Sequence, residues 1–277
     1  MNEASMTVAE ISRGTIQFNH KNESKKSNVE NCNILGVNIA EINMEWLVDY
    51  LNKMVKHEEG NLLSGDYISV CNVYSTVTAY EDESYKAILN GGELAIPDGG
   101  PLSVIGRRRG YKNMSRTTGP GLMGEMFLAS SNMGYRHFFY GSTNETLSKL
   151  SMELKKSYPD IQIAGTYSPP FRPLTDEEDE NVIKLINNIK PDFIWVGLGA
   201  PKQERWMAAH KDKVQGLMIG VGAGFDYYAK NLKRAPKWMQ SCNLEWLYRL
   251  MQEPKRLFTK YMKTNWKFLW LTLVRGK

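Results

Sequence analysis

The chain has 277 residues, 42% of them hydrophobic and 23% charged, a composition that excludes a disordered or fibrous chain and leaves room for one large α/β core plus an appendage. Its three cysteines, Cys32, Cys71 and Cys242, are odd in number and far apart, which argues against a disulfide framework or a paired-cysteine zinc site and suits a reducing cytosol. The net charge of +5 is unevenly spread: Lys230 to Lys277 holds eight Lys, four Arg and two Glu, a local +10, so the rest is net acidic and the tail expects an anionic partner such as lipid headgroups, nucleic acid or a diphosphate.

Residues 1–33 are polar, densest in charge at NHKNESKKSNVEN, and lack apolar periodicity, so a flexible segment is expected there. No apolar h-region follows Met1, and no run of about 18 apolar residues occurs, so neither a secretory signal nor a membrane span is expected. NILGVNIA reads as a first strand. EINMEWLVDYLNKMVKHEEG reads as a helix with Ile42, Trp46, Leu47, Tyr50, Leu51 and Val55 on one face. DYISVCNVYS is a strand and turn, and TVTAYEDESYKAILNGG a helix closed by two glycines. ELAIPDGG is a short buried strand running into a Pro-Asp-Gly-Gly turn.

The second half alternates as clearly. YRHFFYGST is a strand, NETLSKLSMELKKSYP a helix, IQIAGTYSPPF a strand and loop, and TDEEDENVIKLINNIKP a helix whose acidic first turn complements its dipole. DFIWVGLG is a strand, APKQERWMAAHKDK a helix, and GLMIGVGAGFDYYA a strand with an exit loop. Repeated β-α alternation with apolar strands implies a mostly parallel sheet covered on both faces by helices.

Ligands of open α/β sheets bind beyond the carboxyl ends of the strands. The expected exits are Asn72, Asp98-Gly99-Gly100, Gly141-Ser142-Thr143, Gly197 to Gln203 (with Gly199 and Pro201) and Gly222 to Asp226 (with Phe225). Glycines there allow close backbone approach and N–H donation to phosphate, so together they suggest a nucleotide or sugar-nucleotide site. Asp98, at the end of an apolar strand, is a candidate general base; from residue type alone, a turn aspartate is the simpler reading. Asp226 is a candidate for a ribose or sugar hydroxyl, with a helix cap as the alternative. Asn72 is a candidate sugar contact, with an Asx turn as the alternative. Gln203, in the first turn of its helix, is a candidate contact for a diphosphate or sugar. His20, His57, His137 and His210 are scattered without ligand spacing, His137 reads as structural, and no metal cluster or Ser/His/Asp order emerges.

Pro254 divides the tail into two expected helices. In the second, Leu257, Phe258, Tyr261, Met262, Trp266, Leu269 and Leu273 share one face, and Arg256, Lys260, Lys263 and Lys267 recur on another. That pattern is the signature of a helix lying in a membrane interface; a terminal helix packed on the core or on a second subunit, as in a homo-oligomer, is the alternative. Nothing accompanies the basic stretch to suggest nucleic acid.

Four blocks of this sequence, in order over roughly residues 34–262, resemble the WecG/TagA/CpsF family of bacterial glycosyltransferases: AIPDGGPLSVIGRRRG with TTGPGLM, FFYGST, DFIWVGLGAPKQERWM, and GVGAGFDYYAKNLKRAPKWMQSCNLEWLYRLMQEPKRL. The resemblance implies a Rossmann-like fold of the GT-E type with a C-terminal appendage that helps close the active site and binds the inner face of the cell membrane. It implies an inverting, metal-independent transfer from a UDP-sugar to a polyprenyl-diphosphate-linked sugar, without a cofactor, in exopolysaccharide or teichoic acid synthesis. The corresponding organisation is a flexible segment over 1–33, a catalytic domain over 34–235 and an appendage over 236–277. Carried over by position, Asp98 matches the proposed base, Asn72 the strand-end asparagine beside the sugar, Gln203 a donor-site contact, and Arg249 and Arg256 the appendage arginines facing the diphosphate.

The sequence departs from the family pattern in places. Val70-Cys71-Asn72 stands for Thr-Pro-Asn, Thr259-Lys260-Tyr261 for Arg-Arg-Tyr, and Lys230 for a glycine. These changes bear on the sugar, N-acetylmannosamine in the best-known members and glucose in some exopolysaccharide members. A dinucleotide oxidoreductase is the rival enzyme, but VGLGAPKQ lacks the third glycine of its fingerprint. A membrane-associated scaffold that binds nucleotide-sugar without catalysis is the second rival. The turn VGLGAPKQERW thus reads as one wall of a sugar-nucleotide site, with Gln203 projecting toward the donor and Asp98 one strand exit away.

Overall fold

The computed structural model describes residues 29–56 and 60–274, apart from the side chains of Lys260 and Leu273, so most of the 1–33 segment lies outside the described residues. NILGVNIA is a hairpin rather than one strand: β1 (Asn31–Ile34) pairs antiparallel with β2 (Val37–Ala40). Leu35 and Gly36 between them take φ of 55° and 88°, and a two-residue turn of this sign matches the twist of the strands it joins. Helix α1 (Met44–Val55) follows, capped by Asn43, and buries Leu47, Leu51 and Val55.

Among the described residues, the remaining strands form one six-stranded sheet. They are β3 (Tyr67–Cys71), β4 (Leu94–Pro97), β5 (Arg136–Gly141), β6 (Gln162–Tyr167), β7 (Phe193–Gly197) and β8 (Leu217–Gly220), in the spatial order β4-β3-β8-β7-β5-β6, every pair parallel. Each crossover therefore carries a helix, as the β-α alternation requires. The expected helix after β3 is two: α2 (Val73–Glu81) and α3 (Glu83–Gly91) meet at Asp82, which closes the first and caps the second through Tyr85 N–H. Two more helices, α4 (Gly100–Arg108) and α5 (Gly119–Met133), lie between β4 and β5. Then come α6 (Asn144–Ser157), α7 (Asp176–Ile189), α8 (Lys202–His210) and the short α9 (Gly224–Tyr228) in the expected exit loop of β8.

The strands alternate between two cores. Phe193, Trp195, Leu217 and Ile219 face Leu47 and Leu51 of α1, Met126 and Phe127 of α5 and Leu150 of α6. Ile194, Val196 and Met218 face Val182 and Ile186 of α7 and Met207 of α8. Apolar side chains on both faces explain why the strands read as unbroken apolar runs.

A third core holds the hairpin against α2, α3 and α4, and the end of the chain joins it. The tail forms α10 (Lys237–Ser241), α11 (Glu245–Gln252), α12 (Pro254–Leu269) and a last turn of π-helix over Trp270–Val274. Helix α12 lies against α2, with Lys267 paired to Glu81. Phe268 and Leu271, 2% and 1% exposed, are buried with Ile34, Ile39 and Val77. The C-terminal helices thus form a strap with an inner face in the α/β body.

Candidate active site

The register of β3 on β4 pairs Cys71 with Pro97, so Asn72 and Asp98 emerge side by side. The Asp98 N–H donates to Cys71 O at 2.6 Å, and Thr117 N–H donates to Pro97 O at 2.7 Å. The turn aspartate of the simpler reading is a half-buried carboxyl. Burial is the main force that pushes it up to about 6; Arg116, Arg249 and Arg234 pull the other way, and Glu245 adds to the rise. A carboxyl titrating there is ionised at neutral pH and still basic enough to take a proton.

Asn72 caps α2. Its Oδ1 accepts from Ser75 N–H at 3.1 Å, while Ser75 Oγ accepts from Asn72 N–H at 2.7 Å, a closed capping box. The cap fixes the asparagine beside Asp98.

The exits of β8 and β7 come next in the sheet, and Gln203 joins them. Its side chain is 4% exposed. Oε1 accepts from Gly199 N–H at 3.1 Å and from Gly222 N–H at 3.0 Å, and Nε2 donates to Glu204 Oε1 at 2.8 Å. The other oxygen of Glu204 accepts from Tyr85 O–H at 3.1 Å. Gln203 therefore does not project into open space toward a donor: it is a buried tie between two loops. Nor is Asp98 one exit away, because β3 and β8 stand between β4 and β7. With about 4.8 Å between neighbouring strands, the row of exits from Asp98 to Ser142 spans about 19 Å.

The glycines of this row serve different needs. Gly199, at φ 77°, has nothing within 4 Å of its Cβ position and leaves the loop open. A Cβ on Gly197 would stand 2.6 Å from the ring of Phe225, and one on Gly141 2.8 Å from Gly197 C and O; both are small so that the structure can close. Phe225 is 1% exposed and packs edge-on to Phe139, so it belongs to the core and not to a ligand surface. Ser142, at φ 60°, accepts from Ser168 Oγ through its carbonyl at 2.8 Å. Pro201 opens α8 after a cis bond from Ala200. Asp226 lies in the first turn of α9, its carboxylate 3.4 Å from Asn231 Nδ2. His137 is structural: Trp195 N–H donates to its Nδ1 at 3.0 Å, leaving Nε2–H to donate to Ser130 Oγ at 2.6 Å, and burial lowers its pKa to about 3.

The appendage closes over the Asp98 end of the row. No residue of α11 is fully buried, and polar contacts hold it. Arg116 pairs with Glu245 and donates to Gln240 O at 3.0 Å; Arg234 lies 3.5 Å from Glu245. Gln252 and Lys233 exchange two hydrogen bonds, at 3.1 and 3.0 Å. Arg249 is half-buried among Tyr227, Tyr261 and Glu253; burial opposes its charge, and these neighbours outweigh it to raise its pKa. Arg256 is more exposed and holds Glu253 through two hydrogen bonds of 2.8 and 2.6 Å. Of the expected residues, the structure gathers Asp98, Asn72 and Arg249, ties Gln203, Gly199 and Gly222 together nearby, and leaves Gly141 and Ser142 at the far end. Sequence reasoning missed Arg116, Arg234, Glu245, Tyr227 and Tyr261. Tyr227, Arg234 and Glu245 lie inside the last block of the resemblance, Tyr261 lies just beyond its end, and Arg116 directly precedes TTGPGLM.

Residues 32–277 match the model of the glycosyl transferase WecG/TagA/CpsF family. Relatives from Staphylococcus aureus strains MW2, NCTC 8325 / PS 47 and MRSA252 are each 30% identical over 234 residues, covering 84% of this chain and 89% of theirs. Each bears the name N-acetylglucosaminyldiphosphoundecaprenol N-acetyl-beta-D-mannosaminyltransferase.

Proposed function

This chain belongs to the glycosyl transferase WecG/TagA/CpsF family, and from that premise we propose that it is an inverting glycosyltransferase moving a hexose or N-acetylhexosamine from a UDP-sugar to a polyprenyl-diphosphate-linked sugar, in the synthesis of a cell-surface polysaccharide or teichoic acid. The relatives' name supports N-acetylmannosamine as donor sugar and N-acetylglucosaminyl-diphospho-undecaprenol as acceptor; the departure at Val70-Cys71 keeps glucose as the other sugar to test.

The observation that carries this reading is Asp98, a half-buried carboxyl raised to about 6, beside Asn72 and under arginines of the appendage. Asp98 takes the proton of the acceptor hydroxyl. The oxygen attacks the anomeric carbon on the face opposite UDP, the bond from that carbon to the phosphate oxygen breaks, and UDP leaves with the electron pair. Charge grows on the diphosphate as it leaves, and arginine side chains and loop N–H groups are suited to stabilise it. The loop tied by Gln203 and the open backbone at Gly199 fit a wall for the donor.

Among the described residues no helix is long and apolar enough to cross a membrane. The outward stripe of α12, with Trp266 75% and Phe258 57% exposed, supports peripheral attachment to an anionic membrane surface. The test is mass spectrometry of products from a panel of UDP-sugars with a short polyprenyl-diphosphate-sugar acceptor. Asp98→Asn is expected to lose turnover while still binding UDP. UDP binding without transfer from any donor would favour the scaffold reading.

A further inference from the structure

Each end of α11 presents a glutamate between two arginines. At its C-terminal end Glu253 takes Arg249 and Arg256, both from the appendage. At its N-terminal end Glu245 takes Arg116 and Arg234, and these come from outside the appendage: Arg116 from the segment between α4 and α5, Arg234 from the segment after α9. The side chains of Arg116 and Glu245 are only 19% and 16% exposed, so water screens them little. Both guanidinium groups are held on other sides as well, Arg116 by Gln240 O at 3.0 Å and Arg234 by Thr118 Oγ1 at 3.4 Å.

The groups that act on Asp98 include Cys71 of β3, Arg116, Tyr227 of α9, Arg234, Glu245 and Arg249 of α11, and Tyr261 of α12. Glu245 is the only carboxylate in that set. Two arginines without it would favour the ionised form of Asp98 and make it a poorer proton acceptor.

We propose that Glu245 is a positioning residue for the transfer reaction: its carboxylate fastens Arg116 to Arg234 and offsets part of their charge where Asp98 feels it, so that the docked appendage sets the strength of the base. This rests on the reading of Asp98 as that base. Glu245 touches no reacting atom. It acts through the two arginines, and it makes closure and base strength one event.

The test is a titration that needs no substrate. With aspartate labelled at its carboxyl carbon, the Asp98 resonance is identified by its loss in Asp98→Asn. It is then followed against pH in the wild type, Glu245→Gln, Glu245→Asp and the double variant Arg116→Gln/Glu245→Gln. Hydrogen exchange of residues 245–252 reports docking. Glu245→Gln is expected to leave α11 protected and to move the Asp98 midpoint down by about one pH unit. Glu245→Asp is expected to restore it. The double variant, having lost a cation with the anion, is expected to return it to the wild-type position or above. A midpoint that stays put in Glu245→Gln, or that falls equally in the double variant, overturns the inference. So does a fall accompanied by lost protection of α11, since undocking hydrates Asp98 by itself. If Asp98→Asn keeps turnover, the base reading fails while the titration result stands, so the two failures are distinguishable.

Discussion

The side chain of Asn243 occupies the place where a Cβ on Gly100 would stand: such an atom would lie 2.1 Å from Asn243 Cγ and 2.2 Å from its Oδ1. Gly100 opens α4 two residues after Asp98, and Asn243, at φ 59°, turns the chain into α11. The second glycine of PDGG therefore makes room for the appendage at the edge of the site. Gly100→Ala is expected to leave the catalytic body folded, displace the start of α11 and lower kcat/KM about tenfold, a loss of about 1.4 kcal/mol. Adding Asn243→Gly removes the obstructing atoms and suits the positive φ, so the double variant should recover most of the rate. Turnover assays paired with limited proteolysis of the tail read both effects, and a single variant with full activity would show the contact to be idle.

The proposed role as base gives Asp98 opposite effects on stability and on chemistry. Its folded-state value of about 6 lies above the ordinary 3.8, so between those pH values the folded protein holds the extra proton. Stability from this group is therefore full at low pH and is lost as pH rises through about 6. The ionised carboxylate then weighs against the fold by up to about 3 kcal/mol. Asp98→Asn is expected to raise Tm at pH 7.5 and to give no gain at pH 4, while wild-type turnover declines below about pH 6 as the base is protonated. Thermal melts across pH, beside the rate profile, check both halves. A lower Tm for the variant at pH 7.5 would mean that the carboxylate makes net favourable contacts.

How much of this was legible in the sequence depended on the range of the interaction. The parallel sheet and its helical cover followed from local periodicity, and each expected exit lies at or just beyond the end of a strand. The hairpin at Leu35-Gly36 was hidden because NILGVNIA is apolar on both sides of its turn. Asp82 was hidden because the pattern of α2 runs on into α3 across it. The distance from Asp98 to Gly199 was illegible, since chain order carries no record of β3 and β8 lying between them. Gln203 shows the same limit: a glutamine at a helix start suggests a ligand, and only the tertiary fold reveals Gly199 and Gly222 already holding its oxygen. For Glu245 no local pattern existed, because its partners Arg116 and Arg234 come from two distant segments.

Gln203 is expected to behave as a tie. Gln203→Ala removes the acceptor of Gly199 N–H, the closer of two acceptors of Gly222 N–H and one donor to Glu204. A stability loss of about 2–4 kcal/mol is expected from buried polar groups left unpaired. Because the loops then move apart, KM for the UDP-sugar should rise more than kcat falls. A variant with normal stability and a collapsed kcat would instead place Gln203 on the reacting groups.

The two faces of the tail call for opposite results. Phe258, Met262, Trp266 and Leu269 recur at spacings of four, four and three along α12 and are 57%, 54%, 75% and 48% exposed, so they form one outward stripe. Phe268 and Leu271 point the other way, into the core shared with the hairpin and α2. Phe258 and Trp266 are mostly exposed, so replacing both by Ser should change stability by no more than about 1 kcal/mol. Sedimentation with anionic vesicles should nevertheless fall sharply if, as proposed, those rings are the apolar surface that meets lipid. Phe268→Ala should do the reverse: it opens a cavity worth about 3–5 kcal/mol if the strap stays in place, and otherwise frees the end of α12 to hydrogen exchange. Vesicle binding that survives loss of the stripe would remove α12 as the membrane contact. A Phe268→Ala variant with unchanged melting and unchanged exchange would mean that the end of the strap does not rest on the body in solution.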